Sequence, residues 1–558
     1  MPPAPPIRGP FRTDLRARAA YSEGAGVYRI VPAAIALPAD EADLVSLLKW
    51  AIGTRQSMER RQSLVLRGAG SAMGGGNVGD GVLVDLTAMP KHLSIDAGAR
   101  TAVASAGVTL GQVAQAAELH GLRLPPDPSS AHWATVGGAF STNASGPRTL
   151  RYGSVRRWAL GATVITADGE RLVLRRGEPA GDTAATLRFE AEVAPHLRAA
   201  ASTIRTRFPP TRKNSSGYAL DAWLESGDLL DLFVGAEGTL GVVTEVTWRL
   251  DPVPAFRAAL QVEVLAVDRI ADVIGALVAT GPSVCELLDR SFLDVVRSGT
   301  SGTDVVVPDA AAVLLLEYEE DSLAALEAVL ARGGAAADAM GARAVRPRTV
   351  SDEAAMWALR HAASPILARL PVTQRSMQVV EDGCVPVKCL AEYLHLLRDA
   401  AARRDLPIVL FGHAGDGHVH ANLLPDTTRP GWTDAVASLL AEVSDGVTAL
   451  GGTPAGEHGD GRLRAGLMEL VYGAEITGLF HLVKNCFDPL GILNPGVILP
   501  AVQDASPLSR LKVGAEAAPI PEDIALALRT VEREGGYARS RLTIADASHD
   551  SRPTTHDS

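Results

Sequence analysis

The chain has 558 residues, of which 47% are hydrophobic and 21% are charged, and its formal net charge is −11. This length exceeds what one hydrophobic core usually covers, so two or more domains are expected. The acidic balance argues against nucleic acid as a partner, because no basic excess is available to neutralise phosphates.

Cysteine usage and hydropathy indicate the compartment. Four cysteines, Cys285, Cys384, Cys389 and Cys486, lie without CxxC spacing. That usage is typical of a reducing compartment and supplies neither a disulfide framework nor an iron–sulfur ligand set. No apolar run approaches the roughly 20 residues that a membrane-spanning helix needs, and the N-terminus lacks the apolar core of a secretory signal. A cytoplasmic protein is predicted, with peripheral membrane contact left open.

The first half of the chain alternates short strands with turns and a few helices. Residues 1–29 are interpreted as a lead-in, and from Ile30 a short strand precedes a helix that Asp40 or Asp43 caps. Apolar runs broken by glycine then predict strands, with a helix at TLGQVAQAAELHG. These strands are SLVLRGAG, GVLVDL, TAVASAG, GATVITADG and GVVTEVTWRL. An α+β domain over residues 30–253 is predicted.

A second domain is predicted over residues 254–450. RAALQVEVLA and AAAVLLLEYEE are typical of strands, and each precedes a helix, the first of which Asp268 is expected to cap. This order indicates an antiparallel sheet with helices on one face. Residues 451–500 are interpreted as a last compact segment and residues 501–558 as a tail, whose polar end ADASHDSRPTTHDS is predicted to be disordered.

Glycine-rich segments are the first functional signal. Leu64 to Gly81 holds seven glycines, and Pro125 to Gly161 and Phe233 to Glu245 are also glycine-rich. The GxGxxxG of the first is followed by a strand rather than a helix, which argues against a nicotinamide Rossmann site. The absence of a Walker lysine excludes a P-loop nucleotidase. A backbone nest around a pyrophosphate and a plain glycine-rich hairpin both remain open.

At family level the resemblance is specific. The three glycine-rich segments, in this order, resemble the two-subdomain flavin-binding fold of the vanillyl-alcohol-oxidase (PCMH) type. FGHAGDGHVHANLLPD, GEHGDGRLRAG and FDPLGILNPG resemble the C-terminal domain of FAD-linked oxidases of the glycolate oxidase and D-lactate dehydrogenase type. Together these strings cover roughly residues 28–500. The chain also resembles the flavin half of larger FAD/iron–sulfur fused dehydrogenases. The implied fold is α+β, with a cap domain of antiparallel sheet and helices.

The resemblance implies bound FAD. Attachment is expected to be noncovalent, because RGAGSAMGGGNVGDG contains neither histidine nor cysteine and His132, in the second loop, is interpreted as structural. The cofactor-binding positions implied are Arg67, Gly68, Ala69, Gly70, Ser71, Gly74, Gly75, Pro126, Asp127, Thr135, Gly138, Asn143, Gly146, Gly153, Val243 and Asn494.

Two histidine-rich strings fit the oxidation of a 2-hydroxy acid. Removing hydride from C2 requires that the hydroxyl proton also leaves, and a metal and a histidine assist that loss. In VLFGHAGDGHVHANLL a strand ends at His413, AGDG turns, and a second strand carries His418, His420 and Asn422 on one face, so His413 and His420 can meet at the mouth of a hairpin. The resemblance implies His413, His420 and Glu457 as ligands of Zn²⁺, Mn²⁺ or Fe²⁺, and His458 as the base. Residues 451–500 would thus complete the active site.

Further roles follow from the resemblance. Arg360 in MWALRHAAS matches an arginine that clamps the substrate carboxylate, and Asn422 is expected to contact substrate or ligands. The role of His418 is open, because relatives often carry asparagine there. Asp416 and Asp460 are expected to cap turns. A lysine that some relatives place before the VPV strand is absent from MQVVEDGCVPV, which weakens the case for hydroxyglutarate.

The expected activity is that of an FAD-dependent dehydrogenase acting on a D-2-hydroxy acid, with lactate, glycolate and 2-hydroxyglutarate as candidates. Electrons would pass to a quinone, an iron–sulfur partner or an electron-transfer flavoprotein. Two alternatives stay open: a flavin oxidase that uses oxygen on an alcohol or sugar, and a noncatalytic flavin subunit of a larger complex.

Overall fold

A computed structural model describes residues 4–57, 62–299, 307–368, 370, 373–501, 506–534, 536–537 and 539–547. The α+β expectation is confirmed. Among the described residues, no helix is both long and apolar enough to cross a bilayer. The four cysteines are free thiols.

The first subdomain is a small sheet in the order β1-β2-β4-β3, in which β2, β4 and β3 are parallel. Asp40 begins the second helix, since its carboxylate accepts a hydrogen bond from the backbone of Asp43, and Asp43 in turn accepts one from Ala39. The elements are β1 (Phe11–Arg12), α1 (Leu15–Ala20), β2 (Ala34–Ala36), α2 (Glu41–Ser57), β3 (Leu64–Arg67) and β4 (Val82–Asp85).

The second subdomain is an antiparallel sheet in the order β5-β6-β10-β8-β9, beside a short β11–β7 pair. Its strands are β5 (Leu93–Asp96), β6 (Thr101–Ser105), β7 (Leu122–Arg123), β8 (Ala159–Ile165), β9 (Arg171–Arg175), β10 (Val242–Arg249) and β11 (Asp251–Pro252). Its helices are α3 (Leu110–Glu118), α4 (Val136–Ser141), α5 (Thr149–Tyr152), α6 (Ala184–Arg188), α7 (Ala194–Ala199), α8 (Ala201–Arg207), α9 (Leu220–Ser226) and α10 (Leu229–Phe233).

The cap domain is a seven-stranded antiparallel sheet in the order β15-β12-β14-β13-β17-β18-β16. Its strands are β12 (Phe256–Val264), β13 (Val284–Asp289), β14 (Ala312–Glu320), β15 (Arg343–Val345), β16 (Gly383–Cys384), β17 (Ile408–His413) and β18 (His418–Leu423). Its helices are α11 (Ile270–Val278), α12 (Arg290–Gly299), α13 (Leu323–Ala339), α14 (Val350–Ala368), α15 (Leu390–Ala402) and α16 (Trp432–Ala449).

Helices cover both faces of this sheet, so the prediction of helices on one face is wrong. Leu314 and Leu316 of β14 pack into the core that α11, α13 and α15 share. Val313 and Leu315, which point the other way, pack with α12 and α14. The cap predicted for α11 is also wrong, because Asp268 binds His395 at 2.7 Å instead.

Residues 451–500 return to the flavin-type domain. Helix α17 (Met468–Phe487) buries Ile476 and Phe480 in the core of the second subdomain. The following loop lies beside β3, where the backbone N–H of Asn494 donates to the carbonyl of Leu64 at 2.8 Å. This segment therefore joins the cap to both subdomains.

The two ends of the chain pack together. Helices α18 (Glu522–Glu534) and α19 (Leu542–Asp546) bury Ile524 and Ala545 against Ala17 and Tyr21 in and after α1. The stretch predicted to be disordered begins at Ala545, and its first two residues end α19, so the expectation is wrong there, where Ala545 is buried. Residues 548–558 lie outside the described residues.

Ile524→Ala should loosen this terminal layer. Ile524 is 0% exposed, and such truncations cost about 2–5 kcal/mol. Amide hydrogen exchange in α18 and α1 should accelerate, whereas Leu526→Ala, at a side chain 53% exposed, should leave it unchanged. Equal exchange in both variants would mean that α18 does not pack on α1 in solution.

Candidate active site

One cavity of about 370 Å³ joins the glycine-rich loops to the histidine cluster. Backbone segments within residues 66–77, 128–145 and 237–243 form one end. The cap and the C-terminal segment form the other end through Arg360, His361, Gln378, Glu381, Phe411, His420, Asn422, Glu457 and His458. The two functional signals of the sequence therefore belong to one site.

The loop after β3 is built for close backbone approach. A Cβ on Gly68 would lie 2.3 Å from the Thr135 hydroxyl, and Gly70 has a φ of +82°. The short contact leaves no room for a side chain at position 68, and the positive φ at position 70 favours glycine. The Arg67 guanidinium turns behind the loop and donates to the Glu23 carbonyl at 2.9 Å. Eight predicted cofactor positions line the cavity: Arg67, Gly68, Ala69, Gly70, Ser71, Thr135, Gly138 and Val243.

The other eight predicted cofactor positions do not line this cavity: Gly74, Gly75, Pro126, Asp127, Asn143, Gly146, Gly153 and Asn494. Asn494 ties two loops together by donating to the carbonyls of Gly76 and Glu237, each at 2.8 Å. Asn143 accepts from the Ser154 hydroxyl at 2.7 Å. The wall at these places is made by neighbours that the sequence did not single out, among them Gly76, Pro128, Ser129, Ser130, Ser141, Thr142, Ala144 and Ser145.

The predicted histidine hairpin is present. Strands β17 and β18 pair antiparallel, with His413 opposite His418 and Phe411 opposite His420. A single 3-10 turn over residues 414–416 connects them, closed by Gly417 at a φ of +74°. A Cβ on Gly417 would lie 2.0 Å from the carbonyl oxygen of Val385, so the turn needs glycine.

Three imidazole nitrogens converge on the carboxylate of Glu457. His413 Nε2 and His420 Nε2 each lie 3.3 Å from Glu457 Oε1, and His418 Nδ1 lies 3.9 Å from Oε2. Their ligand atoms all lie within 4.8 Å of one another, and all four side chains are buried. His413 lies behind the cavity wall, whereas His420 and Glu457 are on it.

The outer nitrogen of each ring is held by an acceptor. Glu286 accepts from His413 Nδ1, Asp382 accepts from His418 Nε2 at 2.9 Å, and the carbonyl of Glu381 accepts from His420 Nδ1 at 2.9 Å. Carboxylates and carbonyls can only accept, so each outer nitrogen carries a proton. Such partners fix the tautomer of metal-binding histidines and direct the second nitrogen inward.

The donor set fits a divalent cation. Burial lowers the pKa of His418 to about 3, so this ring is neutral with a lone pair on Nδ1, and that buried atom has no hydrogen-bond partner among the described residues. Burial opposes a charge on His413 too, but Glu286 outweighs it and raises its pKa. A histidine ligand must be deprotonated, so a cation bound here would need His413 Nε2 free of a proton. His418, whose role the sequence left open, belongs to this cluster.

His458 lies at the junction of the cluster and the cavity. Its ring stacks on His420 with centroids 5.3 Å apart, and Nδ1 donates to Glu381 at 2.9 Å, which leaves Nε2 for the cavity. Burial disfavours its charge, but Asp382 and Glu381 outweigh burial and raise the pKa of His458 to about 10. A nearby cation would oppose this shift, which ties the basicity of His458 to the occupancy of the histidine cluster.

Arg360 and Asn422 face the same end of the cavity. Arg360 donates from Nε to Glu286 Oε2 at 2.7 Å, and its guanidinium lies 4.9 Å from the centre of the Phe411 ring. Among the described residues, its two Nη atoms have no hydrogen-bond partner in the protein. Asn422 accepts from Ser376 at 2.9 Å, which leaves its amide N–H₂ to donate. Both side chains can therefore bind a carboxylate.

Comparison with known proteins identifies the family. Residues 32–175 match the FAD binding domain, and residues 253–498 match the C-terminal domain of FAD linked oxidases. The chain is 30% identical to the glycolate oxidase subunit GlcD of Bacillus subtilis over 88% of this chain and 94% of that protein. The chain belongs to the FAD-linked oxidase family. It is therefore an FAD-dependent oxidoreductase.

Two further likenesses extend this result. The D-lactate dehydrogenase of Archaeoglobus fulgidus is 29% identical over 83% of this chain and 90% of that protein. The structure of p-cresol methylhydroxylase with substrate bound superposes with a TM-score of 0.62 at 15% identity, over 88% of this chain and 94% of that one. The second likeness shows the fold alone and confirms the PCMH-type prediction.

Charged residues absent from the sequence predictions hold this FAD-linked oxidase site together. Glu286 of β13 binds both His413 and Arg360. Lys213 donates to Glu457 at 2.7 Å. Glu381 and Asp382 stand in the string MQVVEDGCVPV. This pair of acids before the VPV strand was the one feature of the sequence that could have indicated partners for the histidines.

Glu237 and the two turn aspartates are also informative. Glu237 lines the cavity and accepts from the backbone of Asp460 at 2.8 Å, and burial together with Asp460 raises the pKa of Glu237 to about 8. Neither aspartate caps its own turn, contrary to expectation. Asp460 accepts from the Gly217 backbone at 2.7 Å, in a loop 243 residues away. Among the described residues, neither carboxylate oxygen of Asp416 accepts a hydrogen bond; this carboxylate lies 3.7 Å from Lys213 Nζ.

Glu286→Gln should weaken divalent metal binding by about 10–100-fold, the usual effect of losing a charged partner behind a histidine ligand. Burial alone would raise the pKa of Glu286, but His413 and Arg360 lower it to about 2, so the parent side chain is ionised. Competition with a chelator of known affinity measures the change. Asp289→Asn is the matched control on the same strand, because Asp289 pairs with Arg398. Equal affinity in both variants would remove Glu286 from the metal site.

Proposed function

We propose that the protein is an FAD-dependent dehydrogenase of D-2-hydroxy acids, with lactate, glycolate and 2-hydroxyglutarate as candidate substrates. The shared cavity carries this proposal. In it the guanidinium of Arg360, the imidazole of His458 and the cluster around Glu457 face the backbone loops of the FAD domain. The names of the relatives, a glycolate oxidase subunit and a D-lactate dehydrogenase, support this substrate class.

The side chains divide the chemistry of one oxidation. Arg360 holds the substrate carboxylate through its Nη atoms, while Glu286 fixes its Nε and Phe411 supports its flat face. Asn422 donates to the same end of the substrate. With a cation in the histidine cluster opposing the rise in the pKa of His458, its Nε2 is free to take the proton of the C2 hydroxyl, and Glu381 orients the ring.

FAD and a divalent metal would supply the remaining chemistry. When bound, FAD supplies the hydride acceptor, and a divalent metal held by His413, His420 and Glu457, with His418 beside them, supplies a Lewis acid for the hydroxyl oxygen. The FAD is proposed to be noncovalent, because the loop from Arg67 to Gly81 has no residue able to bond the flavin ring. The proposed electron acceptors are a quinone, an iron–sulfur partner or an electron-transfer flavoprotein.

A screen of D- and L-2-hydroxy acids with an artificial dye acceptor tests the function. Turnover of one or more D-2-hydroxy acids, without stoichiometric peroxide in air, is expected. Stoichiometric peroxide would instead make the protein an oxidase. Turnover of simple alcohols or sugars, with none of the acids, would contradict the proposed substrate class.

Arg360→Lys should raise KM and lower kcat/KM. Lysine keeps the charge but loses the planar fork that binds a carboxylate, and a hydrogen bond to a charged group contributes about 1.5–3 kcal/mol. Steady-state kinetics on the acid found in the screen measures the loss. Arg398→Lys is the control, since Arg398 pairs with Asp289 instead of facing the cavity. A parent enzyme that oxidises the methyl ester as fast as the acid would show that no carboxylate clamp operates.

His458→Ala should separate the base from the metal. FAD and metal should both remain, while flavin reduction slows by roughly 10²–10⁴-fold, the usual size of a lost general base. His420→Ala is the contrasting variant and should lose the metal. Anaerobic stopped-flow absorbance follows flavin reduction, and elemental analysis follows metal. Reduction at the parent rate in His458→Ala would place the base elsewhere, with His418 the next candidate.

A further inference from the structure

Lys213 is a fully buried lysine that reaches the histidine cluster from the other domain. Its side chain is 0% exposed and lies on the loop between α8 and α9, whereas the cluster lies on the cap and the C-terminal segment. Nζ donates to Glu457 Oε2 at 2.7 Å and to the Gly146 carbonyl at 3.2 Å.

The loop that carries Lys213 is fixed to the segment that carries Glu457. Ser215 donates from its backbone to the Ala455 carbonyl at 2.8 Å and from its hydroxyl to the Gly456 carbonyl at 3.2 Å. Ser216 donates to Asp460 at 2.8 Å. These bonds set the distance between Lys213 and Glu457, so the contact follows from the packing of the loop and not from a free side-chain rotamer.

The two oxygens of Glu457 are divided between different partners. Oε2 accepts from Lys213, whereas Oε1 faces His413 Nε2 and His420 Nε2 at 3.3 Å each. A carboxylate whose second oxygen is held by an ammonium offers only one oxygen to a cation. Two imidazoles and a one-oxygen carboxylate leave coordination positions open, as catalytic metal sites require. A six-coordinate ion would still keep two positions open if His418 Nδ1, 3.9 Å from Oε2, bound it as well.

We infer that, given the proposed metal site, Lys213 is a positioning residue that restricts Glu457 to one-oxygen ligation and so keeps open the metal positions that the substrate oxygens take. Without Lys213, the carboxylate is free to bind the metal through both oxygens. One substrate position is then occupied by the protein. Asp416, 3.7 Å from Nζ, is the second carboxylate that keeps the ammonium in place.

Cobalt spectroscopy of the FAD-loaded full-length protein tests this inference. Metal-free parent, Lys213→Met and Lys484→Met are titrated with Co²⁺, and the d–d bands are read at wavelengths longer than those that oxidised flavin absorbs. These bands weaken as the coordination number rises. Lys484→Met is the matched control: Lys484 is a second lysine, 13% exposed, paired with Asp488 at 2.6 Å and making no contact with the cluster in the described structure. Oxalate, which has no hydrogen to lose, probes the open positions.

Lys213→Met should bind Co²⁺ with weaker d–d absorption than the parent, and should bind oxalate about tenfold or more weakly. Lys484→Met should match the parent in both readouts, whatever its stability. If Lys213→Met does not fold, Lys213→Gln carries the same expectations, because it also lacks the ammonium.

Three outcomes would overturn a claim, and they are distinguishable. A parent protein that binds no Co²⁺ contradicts the proposed metal site itself. A parent that binds Co²⁺, with the same spectrum and oxalate affinity in Lys213→Met or Lys213→Gln, overturns the inference alone. A Lys213 variant that only loses stability and Co²⁺ affinity, with an unchanged spectrum for the ion that remains bound, makes Lys213 a structural residue and also overturns it.

Discussion

The carboxylate of Glu457 is the point on which the site depends. It lies between the ammonium of Lys213 and the inner nitrogens of His413, His418 and His420. Burial alone would raise its pKa, but Lys213 and the histidines lower it well below the usual range of a glutamate, so it is held as a buried anion. An unpaired buried charge is costly, and this carboxylate is paired with side chains from two other parts of the chain, the loop that carries Lys213 and the hairpin that carries the histidines. The cluster therefore forms only when the flavin-type domain, the cap and the C-terminal segment are assembled.

Other ion pairs hold the same domains together around the cavity. Arg148, at the start of α5, donates to Glu317 of β14 at 2.8 Å, and Arg123 donates to Glu319 of the same strand at 2.7 Å. Glu237 joins the third glycine-rich loop to the backbone of Asp460. The glycine-rich loops and the side chains of Arg360, Asn422 and His458 thus face one cavity at a fixed separation. This matters for hydride transfer, because reacting atoms must be held close and aligned.

Much of this site was predictable, for identifiable reasons. The alternation of side chains along a strand places His413 and His420 together, and turn glycines mark the hairpin. Glycine-rich strings mark the cofactor loops but do not tell which residues touch the cavity, so Asn143 and Asn494 proved to brace the loops without lining the cavity. The run AAAVLLLEYEE has apolar residues at both strand parities, which was a signal that helices cover both faces of the cap sheet.

Partners distant in sequence could not be found in this way. Lys213 and Glu457 are 244 residues apart, and Glu286 and His413 are 127 apart. No spacing rule joins a charged residue to a partner so far away in the sequence. The charges that set the pKa values of His458 and Glu286 therefore came only from the structure. The packing of the terminal helices on α1 was not predicted for the same reason. A polar segment with a few apolar residues does not indicate which helix it packs against.

The central claim is that the histidine cluster holds a metal on which oxidation of a D-2-hydroxy acid depends. Anaerobic stopped-flow reduction of the flavin, before and after treatment with a chelator, tests it most directly. The treated protein should keep its FAD, should no longer be reduced by its substrate, and should recover its rate when Zn²⁺, Mn²⁺ or Fe²⁺ is restored. A metal-free protein that reduces its flavin at the original rate would contradict the account, and the histidines would then act only as hydrogen-bonding residues around the substrate.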